Sequence, residues 1–378
     1  MRRHFAFSST LLLCAFCGCS DPPEPVPNYH EYAYVTNGGS NTVTVVDLRA
    51  LHILTIVAVG KSPTGIATNP NKNEIYVVNT DSNNLSIIDA ETNKVVSTIG
   101  VHRGPYAIEV SPDGKRGYVA NSGSANLSVI DLDQRKVIST IQTGNGSNLA
   151  KVSPDGTLAV ISLRDEDSVA IVDTEKLTLR NKIKICSKPA AVNIAMDSSK
   201  AFVACTGGEE VAVIDLKTDQ LLTLLEVGKT PIDVAVKPDG GEVFVCNFDA
   251  NSVSEIIVKS NEVNSSISIG DHPVRVLVSP DSSLLFVSNF GSDSVAVYSI
   301  DDGRRIGSAG VGRHPEAMSF SPNQLLLLVV DTMSNDLAVL ELTDSKGRPR
   351  PEAPLLETMV PLGSNPRAIV VKAFVSQK

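Results

Sequence analysis

One spacing governs what this chain can fold into. An aromatic or branched apolar residue recurs at Tyr34, Tyr76, Tyr118, Val160, Phe202, Phe244, Phe286 and Leu328, and each step is 42 residues. A period of this length marks blades or solenoid turns, in which each copy is one supersecondary unit. The copy Tyr76 to Gly117 shows the content of the unit. Its runs IYVVN, LSIID, KVVSTI and AIEVSPDG are short, apolar and rich in β-branched residues, with Asn, Asp, Gly and Pro between them. That is four strands separated by turns.

Other positions keep the same beat. A polar residue closes the second strand at Asn37, Asn79, Asn121, Asn247, Asn289 and Asp331, with Leu163 and Cys205 as exceptions. Asp47, Asp89, Asp131, Asp173 and Asp215 end the third strand, and a proline opens the first strand at Pro63, Pro105, Pro189, Pro231, Pro273 and Pro315. The last proline of the series, Pro366, comes late because about nine residues are inserted between Thr343 and Pro354.

A four-stranded antiparallel unit cannot bury both faces alone, and radial stacking around a channel removes the problem. The expected fold is therefore an all-β propeller. The chain opens on a second strand and ends on a first strand, AIVVKAF, so the C-terminal strand should complete the blade begun at the N-terminus and leave no sheet edge at the seam. Counting the copies gives eight four-stranded blades, with seven as the alternative. The propeller is assigned to 31–378.

YVTN at Tyr34 to Asn37, with Pro-Asp-Gly at 112–114 and 154–156, resembles the YVTN-type β-propeller repeat family. The resemblance spans nearly the whole chain after its first segment. It implies the fold but not a function, because the family includes surface proteins, periplasmic proteins, and relatives of lactonases and cofactor-bearing reductases.

The first nineteen residues read as targeting. Arg2 and Arg3 precede an apolar run, Phe5 to Phe16, that is too short to span a bilayer. Gly18-Cys19 resembles the end of a bacterial lipobox, which implies acylation of Cys19. Residues 20–30 begin SDPPEPVPN, four prolines in nine residues, and such a segment is a stiff extended tether. Acyl chain, spacer and domain together imply an exported protein held at a membrane, periplasmic or on the cell surface, and monomeric.

The formal net charge is −9 and no Lys/Arg run occurs, so no nucleic-acid partner is expected: nothing would grip its phosphates. No GxSxG, CxxCH, HExxH or phosphate loop is present, and neither a catalytic residue nor a cofactor is assigned.

Residues shared by most copies serve the blade, so function is sought where copies differ. The loops from the fourth strand to the next first strand surround one mouth of the channel. They carry His102, Arg103, Lys188, Lys229, His272, Arg313, His314 and, one residue after the proline, Arg367. These are the candidate ligand contacts, for a small anion or a protein partner. The loops from second to third strand are acidic, at Asp81, Asp165, Glu209, Asp249, Asp293 and Asp336, so a basic inner ring inside an acidic outer one is expected. His272 and His314 share a phase in adjacent copies, which raises a two-imidazole metal site, but no metal is assigned. The expected function is a binding or scaffold module. The alternative is a propeller enzyme, a lactonase-like hydrolase or cofactor-assisted oxidoreductase, in which Arg103, Glu316 and His314 would be the acid–base candidates.

Three cysteines follow the targeting segment. Cys205 and Cys246 fall in nearly the same phase of adjacent copies, so a bond between them is conceivable, but buried thiols are favoured.

Overall fold

The computed structural model describes residues 27–344, 350 and 353–376. The targeting segment with Cys19, most of the tether, and part of the loop inserted before Pro354 lie outside the described residues.

Short runs rich in β-branched residues, buried on both faces in mid-blade and alternating in exposure on most outer strands, build thirty-two strands among the described residues, and these form eight four-stranded antiparallel sheets. Blade 1 is closed as the sequence order requires. Its innermost strand, Pro366–Val375, pairs with Tyr29–Asn37, followed by Thr42–Asp47 and His52–Ala58. The pairing begins at Tyr29 opposite Val375, so the last two residues of the 20–30 tether belong to the sheet. Blades 2 to 8 have innermost strands Pro63–Thr68, Pro105–Val110, Ser147–Val152, Pro189–Ile194, Pro231–Val236, Pro273–Val278 and Pro315–Phe320. Each packs against the next, and Pro315–Phe320 packs against Pro366–Val375, which completes a ring of eight.

The repeated residues hold the ring as buried packing and turn chemistry. Tyr34, Tyr76, Tyr118, Phe202, Phe244 and Phe286 are essentially without exposure and sit between sheets. The Tyr34 hydroxyl donates to Asn93 Oδ1 in the next blade at 2.8 Å. Apolar clusters accordingly bridge neighbouring blades rather than fill a single centre. Third-strand Asp47 accepts from the Arg49 and Ala50 amides through Oδ1, a short turn tied by its own side chain.

A second device locks each blade to its predecessor. The Asn41, Asn83, Asp167, Asn251, Asp293 and Asn335 side chains accept from backbone amides of Ser62, Gly104, Lys188, His272, His314 and Asn365 in the following loop. All six acceptor residues lie in the left-handed region, with φ between 49° and 61°. Asn and Asp tolerate that conformation better than other side chains.

Candidate ligand site in the channel

The innermost strands leave a channel cavity of about 490 Å³ along the axis, and all eight blades contribute to its wall. The bulge after the opening proline turns the next two residues towards the channel, while the third, as at Ile66 and Ile108, reaches from the channel wall into the blade core. The second residue after the proline is small in most copies: Gly65, Ala107, Ala191, Ala317 and Ala368. Gly65 shows why space is short, since a Cβ there would lie 2.8 Å from the Tyr106 carbonyl oxygen.

Charge enters where copies break that rule. Arg275 takes the small-residue position of blade 7 and Asp233 that of blade 6, and their side chains meet with Nη1 donating to Oδ1 at 2.8 Å. Asp233 is buried and its Oδ2 accepts from the Val276 amide at 3.0 Å, so the pair also ties blade 6 to blade 7. The Arg275 side chain remains 47% exposed, and that exposure opens into the channel. On the two following blades, Glu316 and Arg367 occupy the first position after the proline and line the same cavity. Burial pushes the Glu316 carboxyl up, against the pull of Arg367, Arg275 and His314 and a hydrogen bond from Thr332. Arg367 makes no hydrogen bond or close ion pair among the described residues.

The opposite wall is different in kind. Blade 3 stands four places from blade 7, so Tyr106, 45% exposed, faces Arg275 across the channel. Asn148 and Leu149 of blade 4 and Ala190 of blade 5 continue that side, and Ile232 of blade 6 stands beside Arg275. Further along the same strands, Glu109 and Lys151 form an ion pair at 2.8 Å, and the Glu109 charge holds the Lys151 ammonium above its ordinary range. The channel is thus polarised across its width.

Of the residues read as ligand contacts, only Arg367 lines this cavity, together with Glu316 from the alternative set. His102 is exposed and its Nε2 lies 3.0 Å from Thr140 on the outer strand of its blade. Arg103 donates twice to the Gly123 carbonyl, and the Arg313 guanidinium reaches Met333 Sδ, so both lie over the neighbouring loop. Lys188 and Lys229 are exposed on the rim. The expected basic inner ring is therefore replaced by a wall of mixed sign. The acidic loops are largely spent on local bonds: Asp81 accepts from Ser62, Glu166 pairs with Lys182 at 2.8 Å, and Asp249 accepts from Thr230 at 2.6 Å.

His272 and His314 form part of an aromatic row instead of a paired metal site. His272 meets Phe248 edge-on at 4.5 Å, and His314 stacks on Phe290 at 4.0 Å. Each imidazole thus packs on a phenylalanine of the preceding blade, and the Asp271 carboxylate lies 2.7 Å from His272 Nδ1. Among the described residues, no group of three or more His, Cys, Asp or Glu side chains could hold a metal ion.

The cysteines correct the sequence reading. Cys205 is bonded to Cys186, not poised towards Cys246, which is buried and free. In other blades the position of Cys186 is usually glycine, pressed on the residue that closes the second strand: a Cβ on Gly228 would lie 2.7 Å from Asn247 and one on Gly270 2.4 Å from Asn289. Blade 5 replaces that Gly–Asn contact by a disulfide. The signal was available, because Cys186 and Cys205 stand 19 residues apart, as do Gly228 and Asn247.

Fold and channel together define an eight-bladed β-propeller with a charged central cavity. The chain belongs to the YNCE-like beta-propeller family, whose model matches residues 29–321. No curated protein matches it in sequence. Among solved structures it is similar to hydrazine synthase of Kuenenia stuttgartiensis, at 20% identity and a TM-score of 0.61 over 74% of this chain and 95% of that one. It is also similar to the dihydro-heme d1 dehydrogenase NirN in complex with DHE, at 14% identity and a TM-score of 0.73 over 90% of this chain and 74% of that one. A functionally unknown protein from Desulfotomaculum acetoxidans is 16% identical, with a TM-score of 0.61 over 90% and 98% of the two chains. At these identities the likeness speaks for the fold alone.

Proposed function

We propose that this protein is an exported, lipid-anchored propeller of the YVTN type that binds a small anionic ligand in its channel and performs no chemistry of its own. The observation that carries the reading is the pair Arg275 and Arg367 lining one recessed channel cavity. Guanidinium groups in a site shielded from bulk water hold anions more firmly than the same groups on an open surface. A disulfide in blade 5 suits an oxidising compartment, and Gly18-Cys19 after a short apolar run suits an acyl anchor.

Glu316 is the one feature that favours an enzyme, since a carboxyl pushed up by burial is the kind of group that moves protons. Among the described residues, however, no histidine or cysteine lines the cavity beside it. The binding reading is the simpler one.

Two measurements test it. Melting temperature in a panel of small organic anions should rise for the wild type and stay unchanged for Arg275→Ala and Arg367→Ala. Membrane fractionation should find the wild type in the membrane and Cys19→Ser released. Turnover of a lactone panel that is lost in Glu316→Gln would overturn the binding reading in favour of the enzyme.

A further inference from the structure

The two walls of the channel together specify more than an anion. Asp233 already neutralises one of the two guanidiniums. Glu316, on the innermost strand between those of Arg275 and Arg367, is an internal anion that occupies the remaining positive field. With Glu316 ionised the four groups sum to zero, and with it protonated one positive charge is left. The site therefore has room for one negative charge, and only when Glu316 gives up its own. Across the channel Tyr106, Leu149 and Ala190 offer largely apolar surface, with Asn148 and Thr64 as neutral polar groups and no charged side chain that would satisfy a second charged end.

We propose that the channel takes a small monocarboxylate with an apolar body, and that the ligand carboxylate displaces Glu316 as counter-ion of Arg275 and Arg367, so that binding takes up a proton on Glu316. This deepens the channel-ligand reading above and rests on it. The charged and titratable groups facing Glu316 are Arg275, backed by Asp233, on one side and Arg367 on the other, with His314 on its own loop. Thr332 faces it from the loop between the second and third strands of its own blade.

The upward push that burial gives the Glu316 carboxyl makes the exchange easier, because less work is needed to protonate it. The sign follows directly. Above the pKa of Glu316 each binding event must bring in a proton, so affinity falls by up to about tenfold per pH unit as pH rises. Below that pKa the carboxyl is already neutral and affinity is flat.

Isothermal titration of the mature chain with benzoate, in two buffers of different ionisation heat, reads both affinity and proton uptake. The expected result is a dissociation constant that rises with pH, proton uptake approaching one per benzoate, and no binding of benzamide, which has the same body without the charge. Glu316→Gln should bind benzoate with an affinity independent of pH, and Arg367→Ala should weaken it about tenfold or more. Melting curves of both variants establish that each is folded, and Arg367→Lys serves if Arg367→Ala is not. Benzoate binding that is indifferent to pH and to Glu316→Gln overturns this inference but leaves the channel reading intact. Sulfate binding tighter than benzoate overturns the apolar monocarboxylate. Failure of benzoate, cyclohexanecarboxylate and sulfate alike to bind the wild type removes the channel reading itself.

Discussion

Replacing Asp331 by asparagine should make the protein more stable, and increasingly so as pH rises. In five other blades this buried strand-end position is asparagine: Asn37, Asn79, Asn121, Asn247 and Asn289. Asn79 Nδ2 donates to Asn84 Oδ1 at 2.8 Å, and Asn84 is the counterpart of Asp336. In blade 8 both partners are acidic. Burial first, then Asp336, push the Asp331 carboxyl from the ordinary 3.8 up to about 8, while the Gly312 amide, donating to Oδ2 at 2.9 Å, pulls the other way. A folded-state pKa above the unfolded value means the native state holds the extra proton. Stability is therefore fully present below about pH 4 and lost as pH rises towards 8. At pH 7 the ceiling on that loss is about 4 kcal/mol, from about 1.4 kcal/mol per pH unit. Part of that push comes from the neighbouring Asp336 carboxyl, which the substitution relieves only in part, so about 2 kcal/mol is the expected gain. Asparagine retains an acceptor for the Gly312 amide and adds a donor to Asp336. Chemical denaturation between about pH 5 and pH 8 measures it. A variant no more stable than wild type at pH 7, or an advantage that does not grow with pH, would refute the reasoning.

Four further outcomes follow from the same geometry. Cys186→Ser should lower stability by about 3 kcal/mol, the loop-closure value for a bridge of this span, and reductant should do the same to the wild type but nothing to the variant. The double change Cys186→Gly with Cys205→Asn, which restores the contact used by Gly228 and Asn247, should recover part of that loss in a denaturant titration. Deleting Ala368 to Lys378 removes most of the strand that pairs with Tyr29–Asn37, so thermal unfolding should broaden and shift strongly downward; an unchanged melting curve would mean the seam is not held there. Asp233→Asn leaves Arg275 without its charged partner, and should weaken the blade 6–7 seam by about 1–3 kcal/mol while Ala190→Ser on the opposite wall changes little.

The ring was legible because a 42-residue step with proline, aromatic, asparagine and aspartate each in fixed phase allows few other closures. The last strand could be assigned to the first blade because AIVVKAF is the only segment left with the first-strand pattern. The site was less legible, for a physical reason. Charges in loops are conspicuous, but in a propeller those loops also carry the inter-blade bonds. The backbone amides of His272, His314 and Lys188 donate to the side chains of Asn251, Asp293 and Asp167, which fixes these residues at φ near 50°. The cavity is instead set by the small-residue phase of the innermost strand, where Asp233 and Arg275 stand out only once the copies are aligned position by position. The Cys186–Cys205 bond was hidden for the same reason: comparing cysteines with one another misses that each occupies a site defined by a glycine or an asparagine elsewhere in the ring.

The central claim, that the polarised channel is a carboxylate site, is tested most directly by a crystal structure of the mature chain grown with benzoate. The account predicts the carboxylate against Arg275 and Arg367 with the ring towards Tyr106 and Leu149. Benzoate bound on the outer face or the rim, with only water in the channel at saturating concentration, would contradict it.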